Sequence, residues 1–305
     1  MTPEEILLHR IPPFIEEYKP RPPQIAVATA MYDAMWAGKN LVAEASTGLG
    51  KTGAYLSAII SAIKNGMTDG SAIISTSGLT LQGQLANKDL PAFQKAFPEL
   101  TFAVIKGRTN YPCLLKLEDE SPSWLEGYLE KYPDGDLGNA PSMTLDEKIA
   151  ITASADECLR GDCKYIRDGY VYKMNDRAAN SHIVVANHHV TLLDGMMDFG
   201  KILPKRMVTV MDEAHNLSGV ATALGAEKAT QGGIVQLAGS FPEIKSDMAG
   251  QAHKAFGYLR SHGGRATAYL SQPLEKLEQE LGIFQETVSG LEGSAPSDLR
   301  LLKLR

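Results

Sequence analysis

The chain has 305 residues, of which 44% are hydrophobic and 22% charged, and its formal net charge is −6. This composition is typical of a globular protein of about two domains, and it excludes disordered and collagen-like chains. The acidic balance excludes a basic surface over the whole molecule, so any nucleic-acid contact is expected to be local. No apolar run approaches the roughly 20 residues of a membrane span. Because the first residues also lack the pattern of a signal peptide, we expect a cytoplasmic protein with no membrane partner.

Helical and strand patterns alternate over the first third of the chain, which predicts an α/β fold with helices on both faces of a parallel sheet. The first helix is expected from Pro22 to Gly38, because apolar residues from Ile25 to Met35 recur at helical spacing. The elements expected after it are a strand at 40–43, a helix at 51–64, a strand at 71–75, a helix at 81–90 and a strand at 102–105.

The pattern changes between about residues 111 and 168, where Pro, Gly and acidic residues cluster with little strand signal. We interpret this part as an insertion into the sheet domain. Strand patterns return at 182–186 and 207–211, and beyond about residue 230 the chain is expected to be helical. An apolar stripe there predicts a packed helical hairpin or bundle arm. Its members are Leu274, Leu277, Leu281, Phe284, Val288 and Leu291.

A phosphate-binding loop is predicted where the strand at 40–43 leads into the helix at 51–64. The loop reads Ala45-Ser46-Thr47-Gly48-Leu49-Gly50-Lys51-Thr52. Backbone N–H groups and the helix N-terminus can surround phosphates there, and the glycines let the backbone approach closely. Lys51 can reach the β- and γ-phosphates, and the Thr52 hydroxyl can ligate Mg²⁺. The loop therefore predicts binding of a nucleoside triphosphate.

Two acidic residues, Asp212 and Glu213, follow the strand at 207–211, at what would be the carboxyl edge of the sheet. Asp212 can hold Mg²⁺ through water, and Glu213 can orient and polarise the attacking water. An acidic pair after a strand is often only a solvated turn. In combination with the upstream phosphate loop, the pair predicts hydrolysis of a nucleoside triphosphate.

Three segments together resemble the superfamily 2 helicases: Arg21-Pro22-Pro23-Gln24, the phosphate loop, and the DEAH sequence Asp212-Glu213-Ala214-His215. Further segments resemble the DinG/XPD branch of that superfamily, in the order in which the family has them. They are Glu44 to Gly48, Ile74 to Thr76 with Leu81 to Leu85, Lys106 to Cys113, and Val184 to His188. By these motifs the chain is similar to the first part of a DinG/XPD-type DNA helicase.

The resemblance implies a RecA-like, ATP- and Mg²⁺-dependent motor that moves 5′→3′ on single-stranded DNA. It divides the chain into a first RecA-like domain at 1–110 and 180–228, an iron–sulfur-type insertion at 111–179, and part of a helical arch at 229–305. Nothing after His215 resembles the second RecA-like domain of the family, so we expect a fragment that alone binds nucleotide weakly and hydrolyses it poorly. The other hypothesis is a nucleotide-dependent module that binds nucleic acid or an effector complex without unwinding.

The resemblance also assigns roles to single residues. It places Arg21 and Gln24 near the adenine, gives binding and hydrolysis of Mg-ATP to the loop with Asp212 and Glu213, and lets His215 couple this site to the nucleic-acid track. The positions assigned to the single strand are Thr76, Ser77, Gln82, Gln84, Lys106, Arg108 and Tyr111. Such a set suits a sequence-independent track, which uses backbone amides, a few cations and a stacking ring.

Three cysteines, Cys113, Cys158 and Cys163, fall where the family has iron–sulfur ligands, and Gly169 stands in the segment where a fourth cysteine is expected. Such clusters are ordinarily held by four thiolates. Three interpretations stay open: a vestigial insertion without metal, a cluster with a substitute ligand or an open iron, and a zinc site of three cysteines and His182. A vestigial insertion resembles the DinG-like helicases of type IV CRISPR systems, which implies a CRISPR ribonucleoprotein as partner.

Overall fold

The computed structural model divides into two compact units, Met1–Gly225 and Ala226–Arg305. It describes residues 1–15, 18–46, 48–118, 121–155, 157–196 and 202–225. The arch expected at 229–305, with its apolar stripe, lies outside the described residues, and so does Thr47 of the phosphate loop. The sheet and the candidate site belong to the first unit.

Among the described residues, the sheet has four strands, which are β1 (Ser71–Thr76), β2 (Phe102–Val104), β3 (Ile183–Asn187) and β4 (Arg206–Met211). Every pairing is parallel, and the spatial order is β2-β3-β1-β4. Ser75 lies opposite both Ala186 and Met211, so the carboxyl ends of three strands meet at one edge. The predicted α/β class with a parallel sheet is confirmed, and it is consistent with a RecA-like domain.

The described residues also contain ten α-helices: α1 (Pro3–Glu5), α2 (Pro22–Trp36), α3 (Lys51–Lys64), α4 (Leu79–Gln84), α5 (Leu90–Ala96), α6 (Leu125–Lys131), α7 (Leu145–Ile151), α8 (Tyr170–Ala179), α9 (His188–Met196) and α10 (Leu217–Gly225). The helix predicted at 51–64 is confirmed at both ends. The helix predicted at 81–90 is instead α4, a π-helical turn at Leu85–Asp89, and α5. None of these helices combines the length and the apolar content needed to cross a bilayer.

Local sequence explains how the two helices beside the phosphate loop begin and end. Pro22 and Pro23 open α2, because a proline in the first turn has no N–H to leave unpaired and a φ already suited to a helix. Gly38 follows the end of α2 with a φ of +60°, a conformation that glycine adopts without strain. Helix α3 begins directly after Gly50, so the unpaired N–H groups of its first turn lie next to the loop.

Successive strand residues enter two hydrophobic cores, one on each face of the sheet. Ile74 of β1 and Val185 of β3 pack in the larger core with residues of α3 and α5. Their neighbours Ile73 and Val184 pack in the second core with residues of α8 and α9. Burying each such side chain stabilises the fold by about 1.5–3 kcal/mol. Because both faces are covered, β1 and β3 read in the sequence as continuous apolar runs.

The predicted insertion has a small hydrophobic core of its own, built around α6 and α7. Its buried members are Leu125, Tyr128, Leu137 and Ile151. Lys116 ties this part together, because its Nζ donates to the carbonyl of Ile149 at 2.8 Å and to Oε1 of Glu157 at 3.0 Å. Helix α8, which ends the insertion in the sequence, packs Met174 and Ala178 into the second core of the sheet.

The strand predicted at 40–43 is wrong. These residues form no regular strand, and Val42 is 98% exposed. A strand is stable when a neighbour pairs its backbone, and within the described residues β4 pairs with β1 alone. The short apolar run at 40–43 therefore has strand propensity. Whether a neighbouring strand is present to pair with it cannot be read from these residues alone.

Candidate active site

The phosphate loop leads directly into α3, and its two glycines have left-handed backbone conformations. Gly48 has a φ of +80° and Gly50 a φ of +87°, values that other residues rarely adopt. A Cβ added to Gly50 would stand 2.4 Å from Nε2 of Gln24, far inside contact distance. The backbone conformation therefore favours glycine at both positions, and a side chain at Gly50 would also displace the amide of Gln24.

Two side chains from the start of α2 hold this loop. Nη1 of Arg21 donates to the carbonyl of Gly48, and Nε2 of Gln24 donates to the carbonyl of Gly50, both at 2.8 Å. Gln24 is 2% exposed, and its Oε1 accepts from the Tyr18 hydroxyl at 3.4 Å. The resemblance assigned Arg21 and Gln24 to the adenine. In this structure both side chains bond the loop backbone, and their contact with adenine stays a prediction.

Asp212 and Glu213 follow β4 directly and lie beside the loop. The backbone N–H of Asp212 donates to the carbonyl of Ser75 at 2.8 Å, which ties the acidic turn to the end of β1. Glu213 has a φ of +55° and a ψ of +46°, a conformation that is uncommon outside glycine and is concentrated at functional sites. Nζ of Lys51 donates to Oε1 of Glu213 at 2.6 Å. The sheet thus brings three of the predicted catalytic residues together.

These charges shift one another's pKa values. The hydrogen bond from Lys51 holds the pKa of Glu213 below its usual value, and Glu213 in turn raises the pKa of Lys51. Both groups are therefore charged at neutral pH. Burial, and after it the negative charge of Glu213, raises the pKa of Asp212. Asp212 is thus an incompletely compensated carboxylate, which a cation would stabilise.

The oxygens of Thr52 and Asp212 fit the binding of Mg²⁺. Thr52 lies half-buried in the first turn of α3, and the carboxylate of Asp212 accepts from the Tyr55 hydroxyl at 3.3 Å. No group of three or more His, Cys, Asp or Glu side chains in the described ranges could hold a metal by itself. Mg²⁺ commonly takes one or two protein ligands and completes its shell with phosphate oxygens and water. The donor set here is of that kind.

His215 lies at the solvent side of the acidic turn. Its Nδ1 is 3.5 Å from Oε2 of Glu213, and its side chain is 71% exposed. Its Nε2 lies 3.2 Å from Nδ2 of Asn216. The ring is therefore next to the catalytic carboxylate and accessible from outside, and its coupling role stays a prediction.

Comparison with known proteins identifies a helicase domain in this chain. The family model described as DEAD/DEAH box helicase matches residues 21–121, which include the phosphate loop. The chain contains a DEAD/DEAH box helicase domain. The resemblance to DinG-type helicases stated from the motifs is confirmed by similarity to curated helicases.

This helicase domain is similar to three curated bacterial proteins in particular. The ATP-dependent DNA helicase YoaA of Escherichia coli (strain K12) is 34% identical over 243 residues, which cover 73% of this chain and 37% of that protein. YoaA of Haemophilus influenzae is 34% identical over 230 residues, 68% of this chain and 34% of that protein. The ATP-dependent DNA helicase DinG of E. coli (strain K12) is 30% identical over 248 residues, 70% of this chain and 34% of that protein. The chain spans roughly a third of the length of these relatives.

Three of the seven positions assigned to the single strand are buried in the helicase domain. Thr76 and Gln82 are 0% exposed and Tyr111 is 4% exposed. Nε2 of Gln82 donates to the carbonyls of Ile105 and Val185, so this side chain joins neighbouring strands. These three side chains are therefore covered by protein in this structure, and their contact with a nucleic acid, stacking on Tyr111 included, stays a prediction.

The two cations of the predicted track are engaged inside the protein. Nζ of Lys106 pairs with Oδ2 of Asp136 at 2.5 Å. Nη1 of Arg108 donates to Sγ of Cys158 at 3.2 Å. The remaining two members are the half-buried Ser77 and the exposed Gln84.

The three cysteines line one cavity of about 120 Å³ together with Gly169, the position without a ligand side chain. These four positions therefore lie around one cavity, and their service as metal ligands stays a prediction. Four thiolates are needed for an ordinary cluster, and within the described ranges the cysteines form no group that could hold a metal. The sulfur of Cys158 also accepts a hydrogen bond from the guanidinium of Arg108. A four-thiolate iron–sulfur cluster does not fit this donor set.

The zinc interpretation is wrong in its fourth ligand. Nδ1 of His182 lies 2.8 Å from Oγ1 of Thr101 and accepts the Thr101 backbone N–H at 3.2 Å. His182 stands directly before β3 and does not line the cysteine cavity. Its hydrogen bonds therefore belong to the start of the sheet.

Sequence reasoning assigned no chemistry to His188, which the structure places at the acidic turn. His188 is fully buried, and its Nδ1 lies 2.7 Å from Oγ of Ser75. Ser75 is also the residue whose carbonyl accepts from Asp212. The available signal was a histidine directly after a buried strand, at the same sheet edge as the DEAH sequence.

Proposed function

We propose that this chain is the nucleotide-binding part of an ATP-dependent DNA helicase of the DinG/XPD type, which moves 5′→3′ on single-stranded DNA as a full-length protein. The observation that carries the proposal is the convergence of Lys51, Asp212 and Glu213 beside a glycine loop. It lies at the carboxyl edge of a parallel sheet, where such folds bind ligands. Relatives that are named ATP-dependent DNA helicases support the proposal.

ATP binding would begin with an exchange of partners at Lys51. Its ammonium now bonds Glu213 at 2.6 Å, and the phosphates offer it a denser negative charge. Once released, the Glu213 carboxylate can accept a hydrogen bond from the attacking water and orient it toward the γ-phosphate. The loop amides and the N-terminus of α3 stabilise the phosphate charge. Mg²⁺, held by Thr52 and Asp212, would neutralise charge on the β- and γ-phosphates.

We assign residues 1–110 and 180–228 to the first RecA-like domain, 111–179 to an inserted subdomain and 229–305 to part of a helical arch. The separate core around α6 and α7 supports the second assignment. A second RecA-like domain of the full-length protein would complete the ATP site, and His215 would couple hydrolysis to movement. A cytoplasmic location and a CRISPR ribonucleoprotein partner stay predictions from the sequence.

The single strand would cross the carboxyl edge of the sheet near Ser77, which is half-buried, and Gln84, which is exposed. These side chains are neutral, so backbone contacts would carry more of the binding than in a basic groove. Binding of that kind is sequence-independent. We expect the salt dependence contributed by this domain to be shallow, since Lys106 and Arg108 of the predicted track bond to groups of the protein.

The insertion would work without an iron–sulfur cluster. A small hydrophobic core and the hydrogen bonds of Lys116 hold it together. The bond between Arg108 and Cys158 occupies one of three sulfurs, and Gly169 contributes no fourth. No step of the proposed mechanism passes through a metal at this place.

The alternative function is a nucleotide-dependent module that binds nucleic acid without unwinding. The test is ATP hydrolysis and duplex unwinding by the full-length protein, with and without single-stranded DNA. A motor loses both activities with Glu213→Gln and keeps them with Lys39→Ala, an exposed lysine outside the site. A full-length protein that binds DNA but neither hydrolyses ATP nor unwinds would refute the helicase function and establish the module.

A further inference from the structure

His188 is a buried polar side chain beside the catalytic turn with half of its hydrogen-bonding capacity unused. It is the first residue of α9 and is 0% exposed. Nδ1 lies 2.7 Å from the hydroxyl of Ser75. Nε2 is also buried, and within the described residues it has no partner at hydrogen-bond distance. Such a group is costly to leave unpaired, so its surroundings deserve an explanation.

The groups that act on the pKa of this ring belong to the acidic turn and its neighbour His215. Burial lowers the pKa of His188, while the nearby backbone of Glu213 and Asp212 acts to raise it. A carbonyl raises the pKa of an imidazole by facing one of its N–H groups. Because Nδ1 is engaged by Ser75, the ring edge toward the turn is Nε2. We assign the tautomer in which the Ser75 hydroxyl donates to Nδ1 and the neutral ring carries its proton on Nε2.

Ser75 is hydrogen-bonded both to the His188 ring and to the backbone of the acidic turn. Its hydroxyl bonds His188, and its carbonyl accepts the N–H of Asp212 at 2.8 Å. The turn itself carries Glu213 in a left-handed conformation, which persists only where the surroundings hold it. Ser75 and His188 are therefore placed to set the conformation of the residue that presents its carboxylate to water.

We propose that His188 is a positioning residue for hydrolysis. With nucleotide bound, its Nε2–H donates to a carbonyl of the Asp212–Glu213 turn and holds the Glu213 carboxylate toward the attacking water. In the present structure Glu213 is instead drawn to Lys51 at 2.6 Å, and the Nε2 bond is open. The inference rests on the proposed ATP hydrolysis. It differs from the role of His215, which is exposed and contacts the carboxylate itself.

The competing interpretation is that His188 only fastens β3 to β1. A fastening residue affects stability, and it affects ATP binding and hydrolysis together. A positioning residue affects the rate of hydrolysis at unchanged ATP affinity, because misplacing a reacting group by about 1 Å can lower a rate about 100-fold. The two interpretations therefore separate when kcat and the Kd for ATP are measured on the same variants.

The experiment uses the full-length protein with His188→Asn, His188→Gln and the matched control His189→Ala, whose side chain is exposed. Asparagine places its amide near the former Nδ1 and retains the contact to Ser75, whereas glutamine can present an N–H near the former Nε2. Titration with a fluorescent ATP analogue gives Kd, and phosphate release with single-stranded DNA gives kcat. We expect His188→Asn to lower kcat about 10- to 100-fold at unchanged Kd, His188→Gln to recover most of it, and His189→Ala to match wild type.

A wild-type kcat for His188→Asn, or a loss of ATP binding that parallels its melting temperature, overturns the inference. If that variant does not fold, Ser75→Ala takes its place, since it removes the hydroxyl that orients the ring. It should lower kcat at unchanged Kd, and an unchanged kcat is again a refutation. Wild-type protein that does not hydrolyse ATP refutes the proposed function instead, so the two failures are distinguishable.

Discussion

The close approach of Gln24 to Gly50 predicts how much stability the protein loses when one methyl group is added to the phosphate loop, as in Gly50→Ala. Gly50→Ala would hold a left-handed residue at a φ of +87°, which costs roughly 1–2 kcal/mol. Its Cβ would lie 2.4 Å from Nε2 of Gln24, whose amide is 2% exposed and bonds the Gly50 carbonyl. Displacing that buried amide adds about 1–3 kcal/mol for an unsatisfied group. The expected loss of stability is therefore about 2–5 kcal/mol.

The matched control is Gly48→Ala. Gly48 has nearly the same φ, +80°, but a Cβ there would meet nothing within 4 Å. It should lose only the conformational part, about 1–2 kcal/mol. Urea denaturation of both variants measures the difference directly, and ATP affinity should fall with Gly50→Ala as the loop shifts. Equal losses for the two variants, or an unchanged Gly50→Ala, would show that Gln24 does not hold the loop.

Three further predictions concern charge and metal. Glu213→Gln should lower the rate of ATP hydrolysis at least about 100-fold, as loss of a general base does. Its affinity for ATP should be unchanged or higher, because Lys51 is released from the ion pair. Phosphate release measures the rate, and nucleotide titration measures the affinity. The lowered pKa of Glu213 means that its contribution to stability is present above its ordinary value of 4.5 and is lost as pH falls through the native pKa. The melting-temperature difference between wild type and Glu213→Gln should therefore shrink in acid, and a constant difference would contradict the ion pair. Gly169→Cys, supplied with iron and sulfide, should gain bound iron and labile sulfide relative to wild type. The control Gly161→Cys, at an open position, should not. Iron bound by wild type in cluster stoichiometry would contradict a metal-free insertion.

The sequence predicted most of the sheet because its strands are buried on both faces and read as apolar runs. Ser71–Thr76 and Ile183–Asn187 were found within one or two residues. The helix at Lys51–Lys64 was found at both ends, since a glycine precedes it and Asn65-Gly66 follows it. Both signals, the apolar runs and the residues that flank the helix, depend on neighbouring residues in the sequence, so they could be read without knowledge of the tertiary structure.

The errors arose where an outcome depends on a distant partner. A strand at 40–43 needs a neighbour to pair with, which no local pattern specifies. Gln82 was assigned to a nucleic acid because it lies in a family motif, whereas its amide bonds the carbonyls of Ile105, directly after β2, and Val185 of β3. Tyr111 is buried in the same way.

The candidate site was predictable as a set of residues and not as a geometry. The residue types of the loop and of the acidic pair, and their positions after strand patterns, predict phosphate binding and hydrolysis. The distance of 2.6 Å between Lys51 and Glu213 is known only from the structure. The bonds of Arg21 and Gln24 to the loop carbonyls depend on the approach of α2, and the position of His188 depends on the register between β1 and β3. Those features follow from packing between elements, which sequence spacing does not encode.

The central claim is that Mg-ATP binds at Lys51, and calorimetric titration of this protein with Mg-ATP tests it most directly. Wild type and Lys39→Ala should bind with one site per chain, and Lys51→Ala should weaken binding at least about tenfold, the equivalent of about 1.4 kcal/mol. Equal affinity of wild type and Lys51→Ala, or binding that does not require Mg²⁺, would contradict the assignment of this loop as the nucleotide site.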